Sequence, residues 1–285
     1  MKLSKKVLEI NLKNREYDFK IYKGSESIVG GMGLALELLL ENKDKNPAIF
    51  TCGPLSGLFP YTSKACLLFL DENRKLQEYY GGGSFAAKLR LLGIDGLILY
   101  NAGNETNILI SKNSVFFKDA LNKKNIDTLG ISGIKSTICI NKNLIIDNYF
   151  TFGNVSVDKH EVFSKLRSIT LSGEGEIEIP NPRDYKEVYN HILGRKNEVL
   201  TKYSTNPSCF GCPVGCGESK EGEAENPAIL PKCLIACQSA EEIYKDIPLV
   251  FSCLTVLGLK YNHEDLENLP NVVSGLIKNL SDICK

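Results

Sequence analysis

Residues 65–100 read ACLLFLDENRKLQEYYGGGSFAAKLRLLGIDGLILY. Ala65–Leu70 is an unbroken apolar run, too short for a typical helix, and reads as a buried strand. Asp71–Lys75 is a polar turn, and Leu76 starts a return strand to Tyr80. Gly81-Gly82-Gly83 then precedes a helix over Phe85–Leu92, and Gly96–Tyr100 is again a strand. Strand, return strand, helix and strand in so short a span point to a chain that mixes strands and helices.

The surrounding sequence extends this pattern. Leu8, Ile10 and Leu12 alternate with polar residues, as do Tyr17, Phe19 and Ile21, so a hairpin is expected with its turn near Asn14. Gly30-Gly31-Met32-Gly33 opens an apolar helix through Leu40, and Ala48–Thr51 is a short buried strand. Two more hairpins are expected over 107–117 and 136–149. The composition shifts at Pro180-Asn181-Pro182, which divides the chain into residues 1–180, rich in strands, and 181–285, rich in helices. The helical patterns are Tyr185–Tyr203, Pro248–Leu257 and Asn271–Leu280, the last placed just after Pro270. Asn262 and Asp265 have the spacing of a helix N-cap pair.

At 285 residues the chain suits one large domain or two ordinary ones. Lys+Arg 34 against Asp+Glu 34 leaves no net charge, which argues against binding nucleic acid through a broad basic field. The N-terminus lacks a continuous apolar segment and a cleavage site, and no stretch approaches 18 apolar residues. A cytoplasmic protein with no membrane span is expected. In that compartment the ten cysteines do not form a disulfide framework. His160, His191 and His263 are too few and too scattered for a histidine-rich metal site.

The sharpest local pattern is Cys209-Phe-Gly-Cys212-Pro-Val-Gly-Cys216, spaced C-x2-C-x3-C. Three thiolates this close can wrap one corner of a metal centre, with Cys233 or Cys237 as the fourth ligand. Besides buried thiols without a metal, two readings stay open on spacing alone. One is an iron–sulfur cluster. The other is structural zinc on Cys209, Cys212, Cys233 and Cys237, which would leave Cys216 spare. The spacing is the reverse of the C-x3-C-x2-C of radical SAM enzymes. Cys52, Cys66, Cys139 and Cys253 lie in apolar runs and read as core residues. The two glycine clusters that precede helices are also candidate anion loops, although tight turns explain such clusters more often.

Several of these segments together resemble the aldehyde ferredoxin oxidoreductases, tungstopterin enzymes with a [4Fe-4S] cluster. The resemblance is carried by Gly31-Met32-Gly33-Leu34, Gly53-Pro54-Leu55-Ser56-Gly57, Gly82-Gly83-Ser84-Phe85, Gly93-Ile94-Asp95-Gly96 and the cysteine motif. It also covers Lys232-Cys233-Leu234-Ile235-Ala236-Cys237, which matches the family's D-x-L-x-x-C except at the aspartate. The resemblance implies an α+β fold: an N-terminal domain with two β-sheets and a few helices, then a small helical cluster-binding domain. It implies Cys209, Cys212, Cys216 and Cys237 as the ligands of one [4Fe-4S] cluster. Lys64, Tyr80, Gly82 and Gly83 fall in the family's pterin region, and Glu225 at the position of an active-site glutamate, where a solvated acidic turn is the alternative.

Departures from the family are specific. Its loop arginine is Met32 here, its bridging arginine Lys64, and its pterin-binding aspartate Lys232. The arginine-rich pterin segment expected near 154–162 reads Asn-Val-Ser-Val-Asp-Lys-His-Glu-Val. The helical body of the family's longer members has no counterpart, and the junction falls near Pro227. An anionic pterin needs many donors and a closed pocket, whereas a cluster needs four thiolates and a backbone cradle. The expectation is therefore a cluster-bearing electron-transfer protein that has lost tungstopterin. The alternatives are an oxidoreductase converting aldehydes to acids with ferredoxin as acceptor, and a zinc-stabilised scaffold without catalysis. The expected partners are ferredoxin or another redox protein, with a homodimer or hetero-oligomer as the assembly.

Overall fold

The computed structural model describes residues 4–24, 27–119, 123–130, 134–222 and 228–283. The first part is built on two six-stranded mixed sheets. Sheet 1 contains β1 (Lys5–Asn11), β2 (Glu16–Tyr22), β3 (Ala48–Thr51), β4 (Ala65–Leu70), β5 (Leu76–Gly81) and β6 (Gly96–Tyr100), in the order β2-β1-β6-β3-β4-β5. Sheet 2 contains β7 (Thr106–Ile110), β8 (Val115–Asp119), β9 (Lys135–Ile140), β10 (Leu144–Ile146), β11 (Phe150–Thr151) and β12 (Leu166–Ser172), in the order β11-β10-β9-β12-β7-β8. The second order, read backwards, repeats the first. In each sheet the first and sixth strands pair in parallel and the other neighbours are antiparallel. The expected α+β class and its two sheets are therefore present.

The strand patterns follow from what covers each face. Leu8 and Ile10 of β1 point into the cluster between the sheets, which also holds Ile108, Ile138 and Ile169. Val7, on the other face of β1, joins a second cluster under the C-terminal helices. β3 and β4 are central and buried on both faces, so they read as continuous apolar runs rather than alternations. Helix α1 (Gly31–Glu41) covers sheet 1, and α2 (Phe85–Leu91) leads into β6.

The last part is helical: α3 (Pro182–Gly194), α4 (Ile229–Leu234), α5 (Ile247–Val256) and α6 (His263–Ile283). These helices share one apolar cluster with sheet 1, in which Leu68 and Ile98 meet Leu254, Leu269 and Val273. Two expectations need correction. The helix expected over Tyr185–Tyr203 stops at Gly194, where a single 3-10 turn follows and Arg195 turns aside to Glu198 and Asp246. The helix expected from Asn271 instead starts at His263 and runs through Pro270. Asn262 and Asp265 cap it reciprocally, each backbone N–H donating to the other's side chain at 3.0 and 2.7 Å. Buried Leu266, Leu269 and Val273 hold both sides of the proline on one apolar face, and this packing outweighs the missing N–H.

Candidate metal centre

The cysteine loop is held at both ends by hydrogen bonds to its backbone, several of them from or to serine hydroxyls. Phe210 N–H donates to Gly83 O at 3.0 Å, and the Ser63 hydroxyl donates to Phe210 O. Cys212 N–H donates to Cys209 O at 3.0 Å, with Gly211 in the left-handed region at φ 69°. Further along, Gly215 N–H donates to Ser208 Oγ at 3.1 Å, and the Ser204 hydroxyl donates to Gly215 O. A Cβ on Gly215 would lie 2.4 Å from Asn206 O, so the residue is glycine because residues 204–206 wrap against it.

Cys237 arrives from the other side. Ile235 ends α4 at φ 61°, a left-handed conformation that costs a β-branched residue about 1–2 kcal/mol. The chain then turns so that Cys237 N–H donates to Tyr61 O at 2.7 Å. Gly31 and Gly53 of the N-terminal loops leave room for this segment, and Gly82 for the cysteine loop. A Cβ on Gly31 would lie 2.4 Å from Lys232 O, one on Gly53 2.4 Å from Leu234 O, and one on Gly82 2.6 Å from the Cys209 Sγ.

The result is one cavity lined by Cys209, Cys212, Cys216 and Cys237 together with Tyr61, Ser63, Lys64, Glu218, Ser219, Gln238 and Ser239. These four cysteines are partly accessible, whereas Cys52, Cys66, Cys139, Cys233 and Cys253 are buried. Cys233 lies apart from the cavity, against the Gly33 N–H, with its thiol pushed up to about 12 by burial. Burial also pushes Cys212 up to about 11, helped by Cys209 and Cys216 and opposed by the Val214 N–H and by Lys64. A cation among the thiols would reverse that balance. Among the described residues, no three His, Cys, Asp or Glu side chains converge on a single-ion site.

The residues expected in a pterin region separate. Lys64 lies buried at the cysteine cavity, and Gly82 backs Cys209. Gly83 lends its carbonyl to Phe210. Tyr80 faces a larger polar groove with Glu78, Asn154 and Lys232. There Glu78 takes the Tyr80 hydroxyl at 2.7 Å and pairs with the Lys232 ammonium at 2.8 Å. Met32 is buried in the core. Glu225 and the junction near Pro227 lie outside the described residues.

Neither glycine cluster forms an open anion loop. Asp147 receives the Ser84 N–H and hydroxyl at the start of α2, at 3.0 and 2.6 Å, so the protein's own carboxylate takes that position. Gly31 is closed over by the backbone of residues 232–233. Sequence reasoning missed Glu78 and Asp147, since a lone acidic residue in a strand or turn carries no local signal. Only the pairing of β4 with β5, and the seating of α2 on sheet 2, brings them into place.

Residues 7–139 match the aldehyde ferredoxin oxidoreductase N-terminal domain. The match ends in β9, ahead of the cysteine loop. Among solved structures, the chain resembles the active site complex BamBC of benzoyl coenzyme A reductase in complex with 1,5-dienoyl-CoA, with a TM-score of 0.59. The likeness covers 97% of this chain at 13% sequence identity, and so concerns the fold. It covers 64% of the other chain, so this chain spans less than two thirds of that length. No curated protein matches the sequence.

Proposed function

Because residues 7–139 match the aldehyde ferredoxin oxidoreductase N-terminal domain, we propose that the chain holds one [4Fe-4S] cluster on Cys209, Cys212, Cys216 and Cys237 and serves in electron transfer, without tungstopterin. The observation that carries this reading is the meeting of the four partly accessible thiols at one cavity. Soft thiolates are the donor set for such a cluster, and Gly82 lets the backbone approach the Cys209 Sγ closely. When bound, the cluster supplies a one-electron carrier. Lys64 places a buried positive charge beside the thiolates and offsets part of their negative charge. Tyr61 O and Gly83 O hold the two ligand-bearing segments at a fixed separation through Cys237 N–H and Phe210 N–H.

The loss of tungstopterin is supported by the neighbouring groove. Tyr80 and Lys232, two groups that could donate to an anionic pterin, are already engaged by Glu78. The Glu78 carboxylate would itself repel the pterin phosphates. The partner in this reading is ferredoxin or another small redox protein.

The test is the metal content of protein made and purified without oxygen. The expected result is a brown protein with about four iron per chain and neither tungsten nor molybdenum. Cys237→Ser should remove the cluster, and Cys233→Ser should leave it in place. A colourless protein with stoichiometric zinc would overturn the cluster, and tungsten with pterin would restore the aldehyde-oxidising alternative.

A further inference from the structure

β2 is the outer strand of sheet 1, paired with β1 over all seven of its residues. No strand pairs with its far edge among the described residues. It contains no proline, glycine or bulge, and its register with β1 is unbroken, so its only edge protection is the charge of Glu16, Asp18 and Lys20. Its inner face is Tyr17, Phe19 and Ile21, the same face on which Leu8 and Ile10 of β1 are buried between the sheets. Phe19 is partly buried against the cluster between the sheets, while Tyr17 and Ile21 remain 41% and 59% exposed. β8, the matching edge of sheet 2, lies at the same rim, tied to the β1–β2 turn by Arg15–Asp119, and exposes Phe116.

The order of residues on β2 is self-complementary. When Tyr17-Asp18-Phe19-Lys20-Ile21 is laid antiparallel on a second copy about Phe19, Asp18 faces the other copy's Lys20 twice. Tyr17 likewise faces the other Ile21 twice. A register centred on residue 18 sets Asp18 against Asp18, and one centred on residue 20 sets Lys20 against Lys20. Both charged side chains are accessible for this, Asp18 at 66% and Lys20 at 51%. Within its own chain Lys20 already contacts Glu9 and lies 3.8 Å from Asp18, and its ammonium has three N–H donors to share, so dimer pairing exchanges the Asp18 partner between copies.

We propose that two copies of this chain associate through β2, antiparallel about Phe19, joining their first sheets edge to edge across a two-fold axis. Backbone bonds supply the attraction, the Asp18–Lys20 pairs fix the register, and the exposed apolar stripe is covered. This assembly is independent of the cluster reading.

The test uses sedimentation of the full chain across a dilution series. Wild type should be a concentration-dependent dimer. Asp18→Lys and Lys20→Asp should each raise the dimer dissociation constant by roughly tenfold or more. Mixing the two variants should recover a dimer, because each then meets opposite charge. Ile21→Glu, which leaves the Lys20–Glu9 contact intact, should also weaken the dimer while circular dichroism stays unchanged. A monomeric wild type would overturn the proposal, as would a dimer insensitive to Asp18→Lys and Ile21→Glu, or a mixture of folded charge variants that stays monomeric.

Discussion

Replacing Gly53 by alanine tests the seam between the N-terminal loops and the segment that carries Cys237. A Cβ at Gly53 would sit 2.4 Å from Leu234 O and 2.6 Å from Leu234 C. Ordinary contact begins at 3.4 Å, so one backbone must move by the 1.0 Å difference. Neither obstacle is a side chain that can rotate away. Gly53 is also pinned, since its N–H donates to Ser56 Oγ at 2.9 Å. The displaced segment begins one residue before the strained Ile235 and three before Cys237. Overpacking of this kind costs about 1–3 kcal/mol. We expect a loss of about 2 kcal/mol in denaturant unfolding, or roughly 4–8 °C in Tm, and weaker iron retention in oxygen-free protein. Gly275→Ala is the control, because nothing lies within 4 Å of its Cβ position and it sits inside α6. That change should gain about 0.5–1 kcal/mol from helix propensity. If Gly53→Ala costs no more than about 0.5 kcal/mol, the close approach argued for this seam is wrong.

His160 should make stability depend on pH. Burial holds its imidazole down to about 4, against an ordinary 6.5, with the Asn46 carbonyl opposing. Nε2–H donates to Asn46 O at 3.0 Å and Nδ1 accepts the Val162 N–H at 3.3 Å, an arrangement only the neutral ring can make. The folded value lies below the unfolded one, so its contribution is complete above pH 6.5 and is lost as pH falls towards 4, by roughly 3 kcal/mol in all. His160→Asn should flatten denaturant-measured stability across that window. Asp265→Ala should cost about 1 kcal/mol by opening the reciprocal cap of α6, read as a lower urea midpoint with an unchanged m-value. With the cluster in place, Lys64→Met should lower its reduction potential by roughly tens of millivolts, because a buried positive charge favours the reduced form. A redox titration followed by electron paramagnetic resonance would show an unchanged or higher potential if Lys64 plays no such part.

Much of the fold is legible in local sequence, for identifiable reasons. The 65–100 stretch reads correctly because β4, the turn, β5, α2 and β6 follow one another with short connections and clear burial. The cap pair Asn262 and Asp265 reads correctly because its bonds span only three residues. The helix after Tyr185 is overextended because amphipathic spacing continues past Gly194, while the ion pair from Arg195 to distant Asp246 draws the chain away. Pro270 misleads because its local cost is visible in sequence and the burial of Leu266 and Val273 around it is not. The duplicated sheet topology leaves no period in the sequence to read, since each strand needs only apolar alternation or a buried run.

By itself the sequence determined the class of the fold and the spacing of Cys209, Cys212 and Cys216, both set by periodicity and short-range chain geometry. Spacing left Cys233 and Cys237 open and the family resemblance favoured Cys237; the tertiary structure puts Cys237 at the cavity and Cys233 away from it, because Ile235 turns left-handed between them and directs the two thiols apart. It also decided that Glu78 engages Tyr80 and Lys232 and that the β2 edge stays open. These outcomes depend on where separate segments meet, and the positions of those meetings are fixed by packing the two sheets and the C-terminal helices together.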